Sequence, residues 1–124
     1  MGHGEFVLRE LDFEAVARLD GGAALRLLGS ADGAAVGSLT AFVTRLHEAI
    51  IADKLRTITI DMRELEFMNA ACFNVFVTWL GLVHELLPEQ RYTLQFIANG
   101  VIPWQRRSLK TLSCFATDLV VVEG

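Results

Sequence analysis

The apolar and polar positions change period several times along the chain. Residues 5 to 11, EFVLREL, alternate as an edge strand does. Residues 13 to 19, FEAVARL, alternate again, with Phe13, Ala15, Ala17 and Leu19 on one face. Asp20-Gly21-Gly22 supplies a turn that tolerates positive φ, and residues 23 to 29 return as the second arm of a hairpin. Ser30 to Gly33, with Asp32 among them, then read as a polar loop. From 36 to 52 the period is helical: Leu39, Phe42, Val43, Leu46 and Ile50 form one stripe, and Thr40, Thr44, His47 and Glu48 lie off it. LRTITID, 55 to 61, is a β-branched strand whose two-sided apolar fit predicts a central place in a sheet.

FMNAACFNVF, 67 to 76, opens a second helix that is predicted to run to about Leu87. Asn69 is placed as its N-cap. Met68 before the cap and Phe73 inside the helix are spaced as a hydrophobic staple. Cys72, Val75, Phe76, Trp79, Leu80, Val83 and Leu87 make the core stripe, and Pro88 stops the helix. Phe73 and Val77 widen that stripe to one side, for packing on the first helix or on a partner. YTLQFIA, 92 to 98, is a further strand, Asn99-Gly100 a turn, PWQRRSLKTL a third helix from Pro103, and Leu119 to Val122 a last short strand. The order β-β-β-α-β-α-β-α-β predicts an α/β fold: a mixed sheet with three main helices packed mostly on one face.

Length and composition narrow the class. The 124 residues fit one domain, 52% of them are hydrophobic and 21% charged, which excludes a disordered chain. No apolar run reaches the roughly 18 residues a membrane span needs, so no direct membrane insertion is expected. The first residues lack the features of a secretory signal, and Phe6 stands where acylation of Gly2 would need a hydroxyl. A net charge of −4 gives no general attraction to nucleic acid. Two cysteines make no disulfide framework, so both are expected reduced and mostly buried in a cytoplasmic protein.

Candidate chemistry is sparse. His3, His47 and His84 lie in a tail and on two predicted helices, read as surface positions away from any strand-to-helix loop, so no catalytic triad forms. Cys72, near a helix start, is either a reactive thiol or a small core residue, and no histidine is placed to serve it as base. Asp61, Glu64 and Glu66 are either an Mg²⁺ cluster or a solvated acidic loop with Arg63 beside it. The cysteines are too isolated for zinc, and no phosphate-binding glycine loop is present. No metal or other cofactor is expected. Arg106, Arg107 and Lys110 stand on the third helix with no acid between them, either to hold an anion or acidic partner or as an ordinary solvated face. Trp104 is expected in the core or over the sheet edge.

The run LRLLGSAD, a helix, then LRTITIDMRELEFMNAACFNVFV resembles the STAS domain, the fold of bacterial anti-sigma factor antagonists and of sulfate transporter cytoplasmic domains. The resemblance covers 13 to 124 and is most specific over 55 to 80, with residues 1 to 12 as an N-terminal extension or added strand on a single domain. In the antagonists the second helix starts Asp-Ser-Ser-Gly, and the second hydroxyl is phosphorylated by a kinase that is also the anti-sigma factor. Carried over, the Asp falls on Asn69, the first serine on Ala70, the phosphoacceptor on Ala71 and the glycine on Cys72. A phosphate there would add about −1.5 to −2 charge beside the helix amides, and alanine has no hydroxyl to carry it.

The resemblance implies a non-catalytic protein-interaction module in bacterial signalling. It would dock a kinase-like or other signalling protein through Ser30, Asp32, Gly33, Met68, Asn69, Ala70, Ala71 and Cys72. Two other functions compete. One is a cytoplasmic subunit of a lipid-trafficking ABC transporter. The other is a small-ligand sensor, which needs an apolar pocket lined by Phe73, Phe76 and Trp79. A homodimer is compatible with each.

Overall fold

The computed structural model describes residues 4 to 124; Gly2 and His3, considered above, lie outside them. The strands are β1 (Glu5–Arg9), β2 (Phe13–Arg18), β3 (Ala23–Ala31), β4 (Thr57–Met68), β5 (Thr93–Ile97) and β6 (Val120–Glu123). The helices are α1 (Val36–Ala52), α2 (Ala70–His84) and α3 (Pro103–Phe115), with short 3₁₀ turns at Gly33–Ala35 and Pro88–Gln90. The strands form one sheet in chain order, β1-β2-β3-β4-β5-β6. β1, β2 and β3 pair antiparallel, and β3 to β6 pair parallel.

This order explains why the helices share one face. Each crossover from β3 to β4, β4 to β5 and β5 to β6 steps the same way across the sheet. Right-handed crossovers in one direction all fall on the same side. The alternation along the strands agrees: Ala15, Ala17, Leu25, Leu27, Ile58, Ile60, Leu94 and Phe96 are buried beneath the helices. Their neighbours Glu14, Val16, Arg26, Thr59, Asp61 and Ile97 line the opposite, open face. β4 is therefore central, as expected, but only one of its faces is buried, with Thr57 exposed. The expected hairpin turn forms at Gly21 and Gly22, with φ of 77° and 154°.

Several boundaries and burials differ from expectation. β1 stops at Arg9, and Leu11 beyond it is 97% exposed. β3 continues through Ser30 to Ala31, so the polar loop begins only at Asp32. α2 ends at His84, before Pro88, and Leu87 is 59% exposed. The proline instead opens a 3₁₀ turn. Cys114 is exposed, whereas Cys72 is buried.

His47 is the largest departure. It is buried, and its Nδ1 lies 2.5 Å from the Tyr92 hydroxyl. Trp79 Nε1 donates to the same hydroxyl at 2.7 Å. The hydroxyl has one proton, so it accepts from Trp79 and donates to a neutral His47. Burial lowers the His47 pKa, with the nearby charge of Glu48 opposing. Burial likewise raises the Tyr92 pKa, although the hydrogen bond from Trp79 works the other way. A polar side chain off the helical stripe is thus accommodated by a partner 45 residues away in sequence.

Candidate functional site

The site begins with the length of β4. Its pairing with β5 stops at Asp61↔Ile97, yet the strand runs on to Met68 against β3. Its carbonyls beyond that point face no strand on the β5 side and need other donors. Side chains from the β5–α3 region supply them. Asn99 Nδ2 donates to the Arg63 carbonyl at 3.1 Å, and Trp104 Nε1 to that of Glu66 at 2.8 Å. Gln105 Nε2 donates to the carbonyls of Met62 and Leu65 at 2.7 and 2.8 Å, while its Oε1 accepts from Asn99 N at 2.8 Å. Gln105 is fully buried, and sequence reasoning gave it no role. Glu64 and Glu66, expected in an acidic loop beyond the strand end at Asp61, therefore belong to the same strand as Asp61.

With β4 extended, the link to α2 shrinks to one residue, Asn69. Its backbone N–H donates to the Ala31 carbonyl at 2.8 Å, which ties it to the end of β3. Its side-chain oxygen accepts from Ala71 N at 2.7 Å, the expected N-cap. Asp32 caps the neighbouring 3₁₀ turn through Ala34 N at 2.9 Å. Cys72 Sγ donates to the Asp32 carbonyl at 3.1 Å and joins the two caps. The structure thus brings Ser30, Asp32 and Gly33 together with Met68 to Cys72. Asp32, Gly33, Ala70 and Ala71 are exposed, Ser30 and Asn69 half-buried, and Met68 buried.

A shallow groove of about 310 Å³ opens beside the helix start. Phe67, Met68, Ala70, Phe73, Asn74, Trp104 and Ser108 line it. Phe67 is half exposed, which sequence periodicity did not flag because it sits at the end of a strand that was expected to finish at Asp61. Trp104 packs against the core from a half-buried position. Arg106, Arg107 and Lys110 are exposed on α3 and line no part of this groove. The expected ligand-site residues Phe76 and Trp79 are fully buried, stacked on each other at 6.2 Å.

Burial pushes the Cys72 thiol up, with the charge of Asp32 adding to the effect, the direction opposite to that of an activated thiol. The hydrogen bond from Arg63 holds the Asp61 carboxyl below its usual range, against the opposing effect of burial. Glu64 pairs with Arg26 at 2.6 Å. Among the described residues no group of three or more His, Cys, Asp or Glu is placed to hold a metal. Among them, too, no helix is long and apolar enough to cross a membrane.

The topology and the capped strand-to-helix junction can be set beside known proteins. The chain is similar to the crystal structure of an anti-sigma factor antagonist from Mycobacterium paratuberculosis, with a TM-score of 0.55 over 94% of this chain and 83% of that one. The chain has the STAS-like fold. Sequence identity is 17%, so the likeness concerns fold alone. No protein-family model matches the chain. No curated protein matches it either. Within the STAS-like fold, Ala71 is the exposed residue at the second position of α2, and its N–H is held by Asn69.

Proposed function

We propose that this chain is a non-catalytic protein-interaction module of bacterial signalling that acts in the cytoplasm. It docks a kinase-like or other signalling protein through the 3₁₀ turn at Asp32–Gly33 and the start of α2. The observation that carries this is the junction itself. Two capped turns from distant parts of the chain are locked together by Asn69 and Cys72, yet they present exposed Ala70 and Ala71 beside an apolar groove. A rigid surface that sets the Asp32 carboxylate near small and apolar residues suits a protein partner. The solved antagonist with this fold supports the class of partner. With alanine at 70 and 71, the module is unswitched at this surface and regulated by abundance.

The test is direct binding. Purified wild type and Ala71→Glu are titrated against each GHKL-type kinase-like protein encoded by the source genome, with ATP present. Wild type is expected to bind one of them and to take up no phosphate at the α2 start. The glutamate variant, with a carboxylate beside the groove, is expected to bind at least about tenfold more weakly. Equal binding by both variants would move the interface elsewhere. Binding of a permease-associated ATPase in place of any kinase-like protein would favour a transport subunit.

A further inference from the structure

β1 forms one edge of the sheet, and its sequence, Glu5-Phe6-Val7-Leu8-Arg9, carries opposite charges at equal distances from Val7. Glu5, Val7 and Arg9 project from the open face, where they meet β2 in the register Glu5↔Arg18, Val7↔Val16 and Arg9↔Glu14. Both outer rows are ion pairs, Arg18–Glu5 and Arg9–Glu14, each at 3.2 Å. Antiparallel pairing of β1 with itself about Val7 would extend this pattern. Each outer row would then read Arg18, Glu5, Arg9, Glu14 across four strands, alternating in sign, with valines between the rows. Arg9 and Glu5 have side chains 76% and 49% exposed, so each can take a second partner.

The backbone agrees with the side chains. Glu10 N donates to the Phe13 carbonyl and Leu19 N to that of Gly4, which places even-numbered residues of β1 in the hydrogen-bonded pairs with β2. The N–H and C=O groups of Glu5, Val7 and Arg9 consequently point outward. Among the described residues no strand takes them up. Pairing about Val7 sets odd residues opposite odd residues and uses all of these groups. On the helix-covered face it sets Phe6 against Leu8 of the second copy, in the closely spaced pairs where side chains meet best. An exposed edge is a template for strand addition, and here the charge pattern favours one partner.

We propose that the chain forms a two-fold dimer through antiparallel β1–β1 pairing centred on Val7, giving one continuous sheet across both copies. The interface is isologous, so it closes at two copies.

The full chain would be examined by sedimentation equilibrium over a range of concentrations. The expected mass at about 100 μM is twice the 13.7 kDa of one chain, falling toward one chain on dilution because the interface is small. Val7→Pro removes an outward N–H and leaves the β1–β2 bonds intact; it is expected to be monomeric and to melt as the wild type does at dilutions where that too is monomeric. The charge variants separate this register from any other contact. Glu5→Arg alone and Arg9→Glu alone place like charges opposite one another, and each should dimerise about tenfold or more weakly. Mixed, they set arginine against glutamate in both rows and should form a heterodimer. A monomeric wild type, a mass beyond two copies, or single variants that do not prefer each other when mixed would each overturn the proposal.

Discussion

Gln105 is the residue whose loss tells most about how the α2 start is held. It is fully buried and makes three hydrogen bonds, to the carbonyls of Met62 and Leu65 and from the amide of Asn99. Gln105→Leu keeps most of the volume and removes every partner, so the loss is polar and not a cavity. An orphaned buried group costs about 1–3 kcal/mol, and partial relaxation of the Asn99 loop toward water lowers the sum, to roughly 3–5 kcal/mol. A domain of this size is stable by about 5–15 kcal/mol, so the variant should still fold. Its melting midpoint should drop by about 10–20 °C. Urea unfolding gives the free energy directly, and an unchanged slope would show that the compactness of both states is preserved. Hydrogen exchange adds the location: amides of residues 62 to 68 and the first turn of α2 should lose protection before those of β2. A loss below about 1 kcal/mol would refute the assignment, since the carbonyls would then have other donors.

Two further perturbations test other parts of the fold. His47 has its proton affinity lowered by burial, so the unfolded imidazole, near 6.5, binds a proton that the folded one does not. Its contribution to stability is therefore complete above that value and is lost as pH falls through it toward the folded pKa. The melting midpoint should fall between about pH 7.5 and 5.5, and His47→Phe should flatten that slope; an identical slope in both would show that other groups carry it. Gly29, with φ of 88°, sits at a register shift in β3, where a Cβ would lie 2.1 Å from the Asp12 carbonyl oxygen. Gly29→Ala should lose about 3 kcal/mol or more in urea unfolding, and a near-neutral result would mean that the bulge can open there.

Much of the architecture is legible in the chain because local patterns and tertiary packing agree. α1 falls on the expected bounds because its stripe of Leu39, Phe42, Val43, Leu46 and Ile50 is wholly buried. Asn69 is legible as a cap because it stands between a strand and an apolar helical run, and a side-chain acceptor there has one obvious donor. What escaped has a common cause. Glu64 and Glu66 look like loop residues by composition, but the second half of β4 is held by side chains that arrive from beyond β5. Ser30 looks like loop for the same reason, since the extra length of β4 is what pairs it, with Phe67. His47 looks like surface because its partners, Tyr92 and Trp79, belong to other elements. Long-range polar pairing leaves no period in a sequence, so such residues show themselves only once the topology is known.

That topology also accounts for the absence of a flexible strand-to-helix loop at the candidate site. A longer link at Asn69 would give its residues freedom, and reactive groups in α/β domains are commonly carried by such links. Here Gln105, Trp104 and Asn99 hold β4 in extended form as far as Glu66, pairing with β3 carries it on to Met68, and Cys72 fastens the helix start to the Asp32 turn. The exposed alanines are therefore fixed in position by bonds made entirely outside their own side chains. Changes at Ala70 or Ala71 should alter what the surface presents without altering where it stands. The same argument runs in reverse for Gln105, whose loss should loosen the surface while leaving its composition intact. Partner binding by Ala71→Glu and by Gln105→Leu thus separates recognition from placement: the first should change affinity at unchanged stability, and the second should change both together.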